Sequence, residues 1–172
     1  DALKDEDNVA WVMQLAPSIR EEWVKRIGWI RLVDRLAENE LIDADSRKFQ
    51  QFCRDWQQLR DRGRIPPDSS YEPILHAIQL AWFDRPETDL HPIAAWEDYL
   101  WAIACYHCPE LTIASIDEYE QMLDRLAGRF FQVLPFLAPS DRQAARAFGK
   151  LDQFYNNLRD LHEDAQQGIC YF

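Results

Sequence analysis

Asn156-Asn157-Leu158-Arg159-Asp160-Leu161-His162-Glu163-Asp164-Ala165-Gln166-Gln167-Gly168 decides how this chain folds, because it has no helix breaker before Gly168 and spaces an amide and two carboxylates four residues apart. On a helix, Asn156, Asp160 and Asp164 form a single stripe. Carboxylates at that spacing repel and weaken a helix by a few tenths of a kcal/mol, so the stripe calls for something that offsets the repulsion. A bound cation does so.

Just upstream, Ser140 and Gln143 have the spacing of a capping box, which predicts a helix from Ser140 to about Gln166. Its Ala147, Leu151, Phe154, Leu158 and Leu161 make a heptad-like apolar stripe, with Gly149, Gln153, Asn156, Asp160 and Asp164 on the opposite side. A second acidic pair stands far earlier, in Arg31-Leu32-Val33-Asp34-Arg35-Leu36-Ala37-Glu38, where Asp34 and Glu38 are again one helical turn apart and Arg31 precedes them by a turn. Two helices can thus present carboxylates to each other. Oxygen-only ligands around a gap suit Mg²⁺, a hard ion that keeps several waters and shares its sphere with substrate phosphates. The pattern therefore predicts a diphosphate substrate.

Periodicity predicts further helices over 18–40, opened by Pro17-Ser18 and carrying Trp23, Ile27, Ile30 and Val33, and over 45–62, with Phe49, Phe52, Trp56 and Leu59 on one side. Others are expected over 71–83, 93–107 and 115–136, with Gly63–Ser70, which contains Pro66-Pro67, as a loop. Only five glycines, long periodic runs and no convincing strand make the fold class all-α, a helical bundle. A length of 172 residues, 47% of them hydrophobic and 13% aromatic, suits one well-buried domain rather than two domains or a disordered chain.

A formal net charge of −11 argues against a nucleic-acid partner, which needs a basic face, and against electrostatic docking on anionic lipid. No apolar run approaches the roughly 20 residues that span a bilayer, and the start lacks a basic, apolar signal sequence. The chain reads as soluble and cytoplasmic.

These residues resemble the phytoene synthase and squalene synthase family. Its second aspartate-rich motif, Gln-x-x-Asn-x-x-Arg-Asp-x-x-Glu-Asp followed by Gly-x-x-Tyr, is matched by Gln153, Asn156, Arg159, Asp160, Glu163, Asp164, Gly168 and Tyr171. Its first motif, an Arg, two residues and Asp-x-x-x-Asp, is matched by Arg31, Asp34 and Glu38 with one Asp-to-Glu change. Leu126-Ala127-Gly128, after Tyr119, is similar to the family's Tyr-Cys-x-x-Val-Ala-Gly segment. The resemblance implies an isoprenoid-synthase bundle around a central cavity. It also implies that the chain, a single helical domain over 1–172, is incomplete at its C-terminus, since the family continues with further helices.

The reaction implied is a head-to-head condensation of two prenyl diphosphates with Mg²⁺-assisted loss of diphosphate. Asp34, Glu38, Asp160 and Asp164 are then the catalytic acidic residues, and with Asn156 they bind metal. Arg31, Gln153, Asn156 and Arg159 contact substrate, Arg being suited to forked phosphate contacts. NADPH is expected only for the squalene type. Release of an apolar product implies peripheral contact with a membrane. Departures from the family pattern are Glu38 for Asp, Ile169 for a basic residue, Arg125 before Leu-Ala-Gly, and no recognisable acid–base pair around Asp98 to Glu110. They keep two alternatives open: another helical terpenoid enzyme that ionises a single prenyl diphosphate, and a non-catalytic homologue that binds a prenyl lipid or a protein partner.

Cys105-Tyr106-His107-Cys108 suggests zinc or redox chemistry, but no second Cys-x-x-Cys pair accompanies it. Reduced thiols packed against a helix are the expectation. His162 is read as a neighbour of the second motif, and the tryptophans as mostly core.

Overall fold

The structure, a computed structural model, describes residues 12–43, 46–84, 89–108 and 111–166, and residues 163 and 164 by backbone alone. Among these residues there is no strand, and the chain is all-α. Helix α1 spans Pro17–Ile42 and opens with proline in its first turn, where the missing N–H costs nothing. It buries Arg26, Ile27, Trp29, Ile30, Val33, Leu36 and Ala37, the one-turn spacing read in the sequence. Helix α2, Lys48–Arg62, buries Phe49, Phe52, Asp55, Trp56 and Leu59 and stops at Gly63, whose φ of 64° is the left-handed cap that glycine adopts without a Cβ clash.

Helix α3 covers Glu72–Trp82 and α4 Leu90–Tyr106. The latter starts earlier than its periodicity suggests, because Asp89 accepts from the backbone N–H of His91 at 3.0 Å and caps it.

The stretch expected as one helix over 115–136 is subdivided. Helix α5, Ile116–Leu123, is capped by Ser115, which accepts from Glu118 N at 3.1 Å; a π turn, Asp124–Gly128, follows, and α6, Arg129–Val133, continues from it. It ends three residues short of expectation because Leu134 precedes Pro135 and is extended, with ψ 141°.

Helix α7, Arg142–Gln166, likewise starts later than Ser140. No capping box forms between Ser140 and Gln143: the Ser140 hydroxyl donates to Asp141 Oδ1 at 3.0 Å, and the first turn closes on the Asp141 carbonyl, which accepts from Ala145 N.

The core sits among α1 to α4. Trp29, Trp56, Trp82 and Trp96, each at most 4% exposed, meet edge to face with ring centroids 5.5–6.3 Å apart. An indole removes roughly 150–250 Å² from water, about 4–6 kcal/mol of transfer free energy at ~25 cal/mol per Å² before ordering is subtracted. Four of them in one cluster make this the anchor of the bundle. Asp55, buried beside it, is satisfied by Gln51 Nε2 and Ser69 Oγ, both at 2.6 Å.

Against this half, α4 runs antiparallel to α5–α6, as Arg129 on Asp98 (2.7 Å) and Arg125 over the Trp101 ring (4.2 Å) show. α7 then runs antiparallel to α5–α6 on the far side. Its contacts run from Arg142 O with Gln132, through Arg146 with Asp124 and Gly149 against Ala127, to Asn157 with Tyr119. The N-terminal half of α1 is tied to the end of α6 by Arg26 Nη1 donating to Val133 O (2.6 Å) and Trp23 Nε1 donating to Pro135 O (3.2 Å).

The side of α7 that faces inward differs from expectation. Leu151, Leu158 and Leu161 are exposed, as are Ala147, Phe148 and Tyr155, while Phe154 is half-buried. The inner face is instead Gly149 and Asn157, with Gln153 half-buried between them. The reason is close approach: a Cβ on Gly149 would lie 2.7 Å from Phe131 Cδ2 and 2.8 Å from the Ala127 carbonyl carbon. Only glycine lets α7 come that near, and the turns on either side face the partner with it.

Candidate functional site

The antiparallel order brings both acidic motifs to one end of the bundle, where α4 ends and α5 begins. Asp34, half-buried on α1, has its Oδ1 3.4 Å from Nε2 of His107, the cap of α4. Glu38, one turn on, is exposed. Burial pushes the Tyr99 hydroxyl well above its usual range, and the nearby negative charges of Asp34 and Glu38 add to the shift. Tyr99 of α4 is itself buried. Arg31 is half-buried one turn before Asp34.

On α7, Asn157 is fixed at the level of Tyr119, near the start of α5, so Asp160 projects further toward the same end. Asp160 is held in two bonds by its neighbour, Arg159 Nε to Oδ1 at 2.7 Å and Nη2 to Oδ2 at 2.9 Å. Those bonds, with the charge of Arg159, pull its carboxyl below the usual carboxylate range against the opposing effect of burial, so it is ionised at neutral pH. Asn156 and Gln153 are half-buried. Gln153 donates from Nε2 to Asn157 Oδ1 at 2.8 Å, and Asn157 donates from Nδ2 to Tyr119 Oη at 3.0 Å. The side chains of Glu163 and Asp164, and all of Gly168, Ile169 and Tyr171, lie outside the described residues, as do Trp11 and Cys170.

The donor set consists of hard oxygens, which fits Mg²⁺. Among the described residues, which leave out the Asp164 side chain, no group of three or more His, Cys, Asp or Glu side chains lies together as a metal site requires. Asp34, Glu38, Asn156, Asp160 and Asp164 are the residues expected from the sequence to hold it. A cavity of about 160 Å³ lined by Arg26, Trp82, His91, Gln132 and Arg142 lies at the opposite end, by α4's start and α6's end. Among the described residues no helix is long and apolar enough to cross a membrane.

Several neighbours of the site escaped the sequence reading. Asn157, 5% exposed, is more buried than Asn156; its spacing of four from Gln153 was the available signal. Asp98 of α4 forms an ion pair with Arg129 of α6 at 2.7 Å, a contact between helices that no local motif marks. Arg125, read as a departure, stacks on half-exposed Trp101, the member of the tryptophan set that leaves the core on this side. Cys105 and Cys108 are exposed rather than packed, because they stand in the last turn of α4 and beyond it. Cys53 alone of the described thiols is half-buried, and burial pushes it up to about 12.

A family model described as squalene/phytoene synthase matches residues 3–172. No curated protein and no solved structure matches the chain.

Proposed function

Since the chain belongs to the squalene/phytoene synthase family, whose members join prenyl diphosphates head to head, we propose that this protein condenses two such molecules, of the phytoene or the squalene type. What supports the reading most is that the two acidic motifs, separated by most of the sequence, lie at the same end of the bundle. Asp34 and Glu38 face the substrate from α1, Asn156, Asp160 and Asp164 from α7. Arg31, Arg159 and Gln153 bind diphosphate oxygens by charge-assisted and forked hydrogen bonds. Mg²⁺, when bound, supplies the positive charge that lets diphosphate leave. By holding that ion the carboxylates would orient the diphosphate, which they would otherwise repel, and the helices would hold the two prenyl tails together and exclude water from the electron-poor carbon. Arg159 must release Asp160 for this, so its guanidinium passes from carboxylate to diphosphate as substrate enters.

In the same proposal the protein works in the cytoplasm and touches a membrane peripherally to release its product; NADPH is required only for the squalene type. The test is product analysis with Mg²⁺ and geranylgeranyl or farnesyl diphosphate, with and without NADPH. Phytoene from the longer substrate or squalene from the shorter supports the reading. No hydrocarbon from folded protein favours a homologue that binds a prenyl lipid or a protein partner without turnover.

Binding is read separately: Mg²⁺ with substrate at about 100 times its Kd adds about 2.7 kcal/mol, roughly 5–11 °C in Tm for a chain of this size. Asp160→Ala should remove that rise. An unchanged rise in the variant would count against the placement of the metal.

A further inference from the structure

Cys105 stands in the last turn of α4, and Cys108 follows the cap residue His107. Both thiols are exposed. Cys108 Sγ folds back to 3.6 Å from the Cys105 carbonyl oxygen and donates to it, so the second cysteine lies over the turn that carries the first. Side chains three residues apart on a helix have Cβ atoms about 5–6 Å apart, and a disulfide brings them to about 3.5–4.5 Å. The remaining distance falls on a backbone that has already left the helix, since His107 has φ −92° and ψ 73°.

The residue inside this turn is the one that touches the first acidic motif. His107 Nε2 lies 3.4 Å from Asp34 Oδ1, and its N–H still donates to Ile103 O at 2.9 Å. Whatever resets the peptide units around His107 therefore reaches Asp34.

We propose that Cys105 and Cys108 form a reversible disulfide whose closure rebuilds the α4 terminus and moves His107 off Asp34. In the forward step, one protein thiolate attacks a low-molecular-weight disulfide such as oxidised glutathione, making a mixed disulfide and releasing one small thiol. The second protein thiolate then displaces the other small thiol. Two protein S–H bonds and one reagent S–S bond are lost; one protein S–S bond forms, and the two electrons and two protons end on the two small thiols. Closure takes Cys108 Sγ off the Cys105 carbonyl and turns the peptide units flanking His107. That this alters turnover rests on the condensation reading; the disulfide and the displacement of His107 do not.

The experiment uses the full chain in glutathione mixtures of fixed ratio, quenched in acid and digested. The peptide holding residues 105 and 108 contains neither Cys53 nor Cys170 after cleavage by trypsin. It should lose two mass units in oxidising mixtures and regain them in reducing ones, while Cys53 remains alkylatable once the protein is unfolded. Cys108→Ser, at an exposed position, should instead collect a glutathione adduct at Cys105.

The second reading is the imidazole C–H signals in solution. There are four histidines, each assigned by its own substitution, and oxidation should shift the His107 signal while those of His76, His91 and His162 stay. A stable mixed disulfide in wild-type protein, or no oxidation, overturns the disulfide. Closure without a shift at His107 overturns the link to Asp34. Neither result depends on whether the protein is an enzyme.

Discussion

Replacing Gly149 by alanine should loosen α7 from the bundle. The added methyl would lie 2.7 Å from Phe131 Cδ2 and 2.8 Å from the Ala127 carbonyl carbon, with the Ala127 oxygen closer still. Carbon atoms sit comfortably at about 3.5–4.0 Å, so roughly 1 Å must be found. The Phe131 ring can turn, but the Ala127 carbonyl belongs to the π turn and moves only with the helix.

Overpacking of this kind costs about 1–3 kcal/mol and at a backbone contact belongs at the upper end. Alanine's better helix propensity returns about 0.5–1 kcal/mol, which leaves a loss of ~2 kcal/mol. In thermal melts followed by far-ultraviolet circular dichroism, Tm should fall by roughly 4–8 °C.

Gly128→Ala is the control. There the new methyl meets the side-chain atoms Arg146 Cγ at 3.1 Å and Asp124 Oδ1 at 3.3 Å and the Arg146 carbonyl oxygen at 3.3 Å, contacts that need only a few tenths of an ångström of adjustment, and the change should stay within about 1 kcal/mol of wild type. A Gly149→Ala protein that melts with or above the wild type would refute the close approach of α7 to the π turn, and with it the inward placing of Gln153 and Asn157.

Other consequences are testable in the same preparations. Asn157→Ala removes the bonds to Tyr119 and Gln153 at a buried position and should cost about 1–3 kcal/mol in urea unfolding; no loss would mean the pair is not formed. Asp124 is pushed up by burial, but the hydrogen bond from Arg146 and the charges of Arg146, Lys150 and Arg129 hold its carboxyl below the usual carboxylate range. A carboxylate depressed in the folded state contributes stability that is complete above its unfolded pKa and is lost as pH falls through the folded one. Wild-type protein should therefore lose more stability than Asp124→Asn between neutral pH and about pH 3, and parallel curves would show the pair to be inert. Cys53, with its thiol near 12, should react with a disulfide reagent at pH 8 far more slowly than Cys105 or Cys108, and equal rates would contradict its burial.

Much of the bundle was legible because helices announce themselves through repeated one-turn spacing. Ile27, Ile30 and Val33 in α1, and Phe49, Phe52, Trp56 and Leu59 in α2, are buried as that spacing implies. Boundaries were less legible where one residue overrides the pattern: Pro135 stops α6 by constraining Leu134, and Asp89 starts α4 before its apolar period begins.

The larger miss was the orientation of α7. An apolar stripe normally marks the buried face, since each large side chain gains about 1.5–3 kcal/mol on leaving water. Here Gly149 marks it instead, through a backbone contact that no hydrophobicity pattern encodes. For the candidate site, Asp34 and Glu38, with Asn156 and Asp160, were nameable from type and spacing. His107, which touches Asp34, was not, because that contact runs through the packing of α4 on α1.

The tryptophans give the molecule its own optical labels. Trp29, Trp56, Trp82 and Trp96 lie near enough to one another for excitation absorbed by one to pass among them, and all four are buried, with the Arg26 guanidinium 5.8 Å from the Trp29 ring and 5.5 Å from the Trp82 ring. Their light reports the integrity of the whole core at short wavelength. Trp101 is 50% exposed with the Arg125 guanidinium over its ring, so it emits further to the red and feels charge arriving at the acidic end. Selective excitation at the red edge would thus follow ligand arrival without labelling, while the blue emission from the same sample certifies that the fold has stayed intact.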